Sequence, residues 1–217
     1  MSRIFASLAV VSLALFFIAL GLGLRIGGYN ELYAEFLGRQ QTLAEKRASL
    51  SAEDLAKTEA DLTQAFQGLE VPQGRARVHM YAGILASLVG LLVNSISVTY
   101  FIGTSRWCKE VVDTYRLSPD LAASSTRLKR RSFPFALLGM LTILVISALG
   151  AASDPGTLRA TTASWVLPHF TAAVGGLGLL AMFFWCQSEL IHANTVIVEQ
   201  ILDKVQEIRR EKGLETS

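Results

Sequence analysis

Two histidines carry most of the chemical capacity of this sequence. His79 and His169 each stand at the start of a long apolar stretch, and a small residue follows each one four positions later, Gly83 and Ala173. Neutral imidazole is a ligand for transition metals and for haem iron. The first expectation is that both imidazoles hydrogen-bond to loop carbonyls or water and that no cofactor is bound. The alternative is that His79 and His169 are ligands of haem b or of a metal ion, with the small residues leaving room for a flat macrocycle.

A second polar set lies inside the apolar stretches. At about 100° per residue, Ser87, Asn94 and Ser97 share one helix face with His79, and Gln187 shares a face with His169. A polar stripe on an apolar helix is predicted to face protein rather than lipid. None of the four side chains ionises, so the stripe predicts interhelical hydrogen bonds, worth about 0.6 kcal/mol each. The alternative is a water-filled path through a small transporter.

A basic run follows the second apolar stretch and contains Arg127, Lys129, Arg130 and Arg131. Cations at this position attract anionic lipid head groups by about 1 kcal/mol each. The run is equally explained as a determinant of membrane topology, which needs no bound lipid. The two explanations are compatible.

Four apolar runs provide the elements that position these residues. They cover residues 4–24, 79–103, 134–152 and 168–191, in a chain of 217 residues that is 51% hydrophobic with a mean hydropathy of +0.40. Each run exceeds the length of about 18 residues that a membrane-spanning helix requires. The sequence predicts an all-α integral membrane protein, a four-helix bundle in the lipid bilayer.

The segments between the runs are also predicted to be helical. Residues 28–71 show two amphipathic patterns, and Ser51, with an acid three residues later, is typical of a helix start between them. The second pattern is predicted to stop at Pro72. The result is an extramembrane helical hairpin between spans one and two, with a bent or partly disordered loop as the alternative. Residues 104–133 and 192–217 are predicted as cytoplasmic helical extensions.

The distribution of basic residues predicts the orientation. Loop 104–133 has seven Lys and Arg against three acids, and the tail 192–217 has four Lys and Arg, whereas loop 153–167 has only Arg159. Loops rich in Lys and Arg stay in the cytoplasm. Both termini are therefore predicted to be cytoplasmic, and residues 28–71 and 153–167 to be on the outer side.

The chain contains a weak internal repeat. Aligned on their histidines, spans two and four carry small or polar residues at matching positions, and spans one and three share the sequence Ala-Leu-Gly, ending at Gly21 and Gly150. Tandem duplication of a two-span unit explains this likeness, because membrane proteins are often built from such repeats. The alternative is that helices which enter the membrane from the same side are subject to the same constraints on their sequences, without a common origin.

Composition narrows the classes of function. A net charge of +2 argues against a nucleic-acid partner, and two cysteines are too few for a disulfide framework. The sequence has no motif of a known catalytic or phosphate-binding site, which favours a non-enzymatic protein. The first prediction is a scaffold, sensor or accessory subunit that contacts a protein partner, or a second copy of itself, through the hairpin or the tail. A haem b electron carrier that uses the two histidines is the alternative, and a small transporter is a further one.

Overall fold

The computed structural model of the protein describes residues 1–157 and 162–214, so Arg159 and the last residues of the tail lie outside the described part. Over the described residues the chain is all-helical, as predicted. The helices are α1 (Ser2–Gly23), α2 (Tyr29–Lys46), α3 (Ala52–Tyr115), α4 (Pro119–Ser153) and α5 (Val166–Glu211), with short 3-10 helices at Pro155–Thr157 and Thr162–Trp165. Helices α1, α3, α4 and α5 are long and apolar enough to cross a membrane.

Local side-chain chemistry sets the helix starts. The Ser51 hydroxyl accepts a hydrogen bond of 3.2 Å from the backbone N–H of Asp54 and donates one of 2.6 Å to its carboxylate, which is the predicted cap of α3. Helix α4 begins with Pro119 at its first position, where proline loses no hydrogen bond. Helix α1 ends before Gly27, whose φ of +78° suits glycine.

Helix α3 does not end at Pro72, so the predicted stop is wrong. The helix continues through this proline for 64 residues, about 96 Å at 1.5 Å per residue. Pro72 leaves the carbonyl of Gly68 without its usual donor, but Gly68 is exposed, so water can reach that carbonyl. The second arm of the predicted hairpin and span two are therefore one helix. Pro134 likewise lies inside α4.

The first of two compact units comprises Met1–Ala14, Leu88–Ile143 and Leu177–Ser217. Its main core joins α1, α3 and α5 through buried apolar side chains, and Phe135 of α4 packs against them. At its centre, the rings of Phe5 and Phe184 meet edge to face with centroids 6.4 Å apart. The buried members of this core are Phe5, Ala9, Val93, Phe101, Phe184, Leu190 and Ile191.

The second unit comprises Leu15–Ser87 and Leu144–Gly176. Within it, α2 packs against the N-terminal arm of α3, with the rings of Phe36 and Phe66 5.7 Å apart. Asn30, in the first turn of α2, donates a hydrogen bond of 2.8 Å to the carbonyl of Ser153 at the end of α4. The helical arms, which are α2 and the N-terminal part of α3, are therefore connected at their base to the end of α4.

Replacing Pro72 by alanine tests the continuity of α3. Pro72→Ala restores one backbone hydrogen bond in a helix that already continues, so we expect the free energy of unfolding to rise by about 1–2 kcal/mol. Pro119→Ala is the control, since proline at the first helical position breaks no bond, and it should change stability little. Thermal unfolding in detergent, followed by circular dichroism, measures both variants. A less stable Pro72→Ala protein would contradict the expectation.

Candidate functional site

The second unit brings the two predicted histidines together. His79 lies in α3 and His169 lies in the first turns of α5. The centroids of their imidazole rings are 6.1 Å apart and the ring planes are inclined by 70°. Both side chains are half-buried. The two histidines, which stand at equivalent positions of two spans, therefore lie next to each other.

A backbone carbonyl fixes the protonation pattern of His79. Its Nδ1 lies 2.9 Å from the carbonyl oxygen of Ala19 in α1. A carbonyl only accepts hydrogen bonds, so Nδ1 must carry the proton and donate it. In the neutral imidazole, Nε2 then has the free lone pair, which is the form of histidine that binds a metal.

The environment of His169 is similar but looser. Its imidazole interacts with the backbone of Ile146 in α4. The buried Nδ1 nevertheless makes no hydrogen bond of standard geometry with the described residues. The two rings therefore face corresponding parts of α1 and α4, and only His79 is held there by a well-formed hydrogen bond.

Two glycines let the imidazoles approach the neighbouring helices. A Cβ added at Gly23 would lie 3.0 Å from Cε1 of His79, and one added at Gly150 would lie 3.0 Å from Cε1 of His169. Real Cβ atoms rarely come so close, so a side chain at either position would push the ring away. Gly150 was singled out in the sequence through the internal repeat, whereas Gly23 was not predicted. The arrangement of one glycine opposite each histidine is visible only when the helices are paired.

Small residues follow the histidines along α3 and α5. A Cβ added at Gly83 would meet no atom within 4 Å. Ala82, Ala172 and Ala173 are half-buried at neighbouring positions, one turn beyond the two histidines. The positions one turn beyond both histidines are therefore occupied by glycine or alanine.

No protein-family model matches the chain. No curated protein and no solved structure matches it either. In the part of the chain that the structure describes, no further His, Cys, Asp or Glu joins the histidine pair to form a group of three.

The buried positions repeat between the two halves of the chain. Every buried residue of α1 has a buried counterpart in α4 at one constant offset. At a second constant offset, every buried residue of α3 between His79 and Gly103 has a buried counterpart in α5. The offset for α1 and α4 pairs Gly23 with Gly150, which differs by two residues from an alignment on the two Ala-Leu-Gly sequences. The pairs in α1 and α4 are Phe5–Ser132, Ala9–Ala136, Ser12–Gly139, Phe16–Ile143 and Ala19–Ile146, and those in α3 and α5 are Ala86–Gly176, Gly90–Leu180, Val93–Phe183, Asn94–Phe184, Ser97–Gln187 and Phe101–Ile191.

Members of the predicted polar stripe form direct hydrogen bonds with side chains of neighbouring helices. In the first unit, Gln187 Nε2 donates a hydrogen bond of 3.1 Å to Asn94 Oδ1, and the hydroxyls of Ser97 and Ser132 are 3.3 Å apart. Asn94, Ser97 and Gln187 are fully buried. These contacts join α3 to α5 and to α4, which fits the predicted role in helix packing.

Other polar pairs extend this set beyond the predicted residues. In the second unit, the hydroxyl of Ser87 lies 3.0 Å from that of Ser147. In the first unit, Asn194 donates hydrogen bonds to the hydroxyls of Tyr100 (3.2 Å) and Thr104 (3.0 Å). Helical periodicity placed Asn194 on the stripe of α5, but its hydroxyl partners could not be found without the tertiary contacts.

The basic run is accessible along α4. Arg127, Arg130 and Arg131 are exposed and Lys129 is half-buried. In the same unit, Cys108 is fully buried between α3, α4 and α5. Burial raises the pKa of the Cys108 thiol, which disfavours the reactive thiolate. The cations are therefore available to lipid phosphates, whereas the thiol is a packing residue.

The close contact at Gly139 provides a stability test of the polar stripe. A Cβ there would lie 2.6 Å from Asn94 Oδ1, so Gly139→Ala must displace the Asn94–Gln187 pair. We expect a loss of about 1–3 kcal/mol in the free energy of unfolding. Gly178→Ala is the matched control, because nothing lies within 4 Å of its added Cβ, and it should be neutral or stabilising by up to about 1 kcal/mol. Equal melting temperatures for the two variants would argue against this packing.

Proposed function

We propose that the protein is an integral membrane four-helix bundle that binds one haem b between His79 and His169 and acts as an electron carrier. The observation that carries the proposal is the spacing of the two imidazoles. A nitrogen ligand lies about 2.0–2.1 Å from a bound metal. Two imidazoles whose nitrogens face each other across one metal therefore have ring centroids about 6 Å apart, and the observed separation is 6.1 Å.

The number of ligands favours haem iron over a bare metal ion. A porphyrin supplies four nitrogen ligands and leaves two axial positions for the protein. A tetrahedral zinc site takes three or four ligands from the protein. His79 and His169 would hold the haem as its two protein ligands. The hydrogen bond to the Ala19 carbonyl holds the proton on Nδ1 of His79, so Nε2 of the neutral ring would be the ligand atom.

The small residues beyond the histidines support the same ligand. Gly83, Ala82, Ala172 and Ala173 leave space next to the imidazoles where larger side chains would obstruct a planar group. Gly23 and Gly150 let the rings sit close to α1 and α4. Haem, when bound, supplies one-electron chemistry, and the protein residues orient and enclose it.

The orientation proposed from the charges puts the histidines near the outer surface. Both termini and the basic loop 104–133 are cytoplasmic, and residues 28–71 and 153–167 are outside. The uncharged part of α3 begins at His79 and ends at Gly103, so His79 marks the outer limit of that span. The proposed haem thus lies where it can exchange electrons with a partner on the outer side.

A second candidate function is that of a scaffold or accessory subunit. The observation in its favour is the apolar surface of the helical arms: the side chains of Phe66 and Val71 are each 61% exposed. Such residues suit a protein partner or a second copy of the chain. The transporter alternative has less support, because direct hydrogen bonds close the polar stripe along which a water path would run.

Absorption spectroscopy tests the haem proposal. We expect protein purified from haem-replete cells to show a Soret band corresponding to one haem per chain. His79→Ala and His169→Ala should each remove at least nine-tenths of that band, since one axial ligand is lost. His192→Ala is the control, because His192 is the remaining histidine and is exposed. Colourless wild-type protein, or equal bands in all variants, would rule the proposal out.

Labelling of introduced cysteines tests the orientation. Ala48 lies at the tip of the helical arms and Ala123 lies in the basic loop, and both are exposed. In intact cells a membrane-impermeant maleimide should label Ala48→Cys. It should label Ala123→Cys only after the membrane is permeabilised. The reverse pattern would show that the topology is inverted. Cys108 is buried and Cys186 is half-buried, so both should add little background.

A further inference from the structure

An open groove of about 670 Å³ lies in the second unit between the end of α1 and the N-terminal arm of α3. Neither the histidine pair nor the polar stripe uses it. Its wall combines two arginines and one carboxylate with apolar side chains: Leu22, Arg25, Glu70, Val71, Arg75 and Val78.

The arginines of the groove are organised by a hydrogen bond. Arg75 Nη1 donates to the carbonyl of Arg25 at 3.2 Å, which holds the guanidinium of Arg75 against the end of α1. A guanidinium has five N–H donors, so Arg75 keeps further donors for an anion. Arg25 lines the same groove. Two arginines that line one groove are suited to a phosphate, which guanidinium groups bind through charge-assisted hydrogen bonds.

The rest of the groove wall is apolar. It lies next to the point where the charged part of the chain ends and the apolar helix segments begin. Val71 and Val78 are 61% and 54% exposed. Helix α1 ends at Gly23, and the uncharged part of α3 begins after Arg77. The groove therefore lies at the ends of two apolar segments, at the level that lipid head groups occupy beside a span.

We propose that this groove binds one phospholipid whose head group carries a primary amine, such as phosphatidylethanolamine. Its phosphate pairs with Arg25 and Arg75, its ammonium pairs with Glu70, and an acyl chain follows Leu22 and Val78. The phosphate, the ammonium and the acyl chain of the lipid thus each contact a group of complementary charge or polarity. A free phosphate would leave the apolar wall without a partner, and an anionic head group without an amine would leave Glu70 without one.

Native mass spectrometry of the detergent-solubilised full chain tests this proposal. With added phosphatidylethanolamine, we expect one tightly retained lipid per chain. The double variant Arg25→Gln/Arg75→Gln should reduce the retained fraction at least about tenfold. Arg39→Gln/Arg47→Gln is the control, because it removes the same charge from exposed sites on the helical arms, and it should retain the lipid. Equal retention by both double variants, or equal loss from both, would overturn the proposal.

Two further measurements identify the ligand. Glu70→Gln should abolish the preference for phosphatidylethanolamine over phosphatidylglycerol, and an unchanged preference would refute the role of Glu70. Inorganic phosphate in large excess should not displace the lipid, and displacement would mean that the site recognises phosphate alone. The Soret band of the arginine variant is independent of lipid retention, so failure of the haem proposal and failure of this one are distinguishable.

Discussion

The hydrogen bond between Nδ1 of His79 and the carbonyl of Ala19 is the interaction on which the histidine site depends. It fixes the tautomer, the ring orientation and the distance between α3 and α1 together. The bond forms only because Gly23, one turn further along α1, has no side chain in the path of the ring. The placement of His79 is thus determined by two backbone features of another helix.

The features that sequence reasoning captured are local ones. Apolar length and helical periodicity identify the four long helices, and a polar stripe identifies the face of α3 that is buried, because both depend only on the residues within one helix. The start of α3 at Ser51 is equally local.

Features that depend on a second helix or on solvent exposure were not predictable. The sequence around Pro72 is typical of a helix end. Helix α3 nevertheless continues through it, because the carbonyl that Pro72 leaves without a donor is accessible to water. The importance of Gly23 arises from a histidine far away in the sequence. In the sequence, Ser132 and Ser147 are ordinary hydroxyl residues within an apolar helix. Their role in helix packing becomes apparent only from the residue that each one contacts on the neighbouring helix.

The matching buried positions of the two halves have an evolutionary consequence. If a duplication produced them, the ancestor was a two-helix chain with one histidine and one glycine of this kind. Two identical copies of such a chain, assembled as a homodimer, would have presented one histidine each to a shared central position. Fusion of the two genes would then have freed each half to change separately, so that one half could acquire the helical arms while the other kept a short connection.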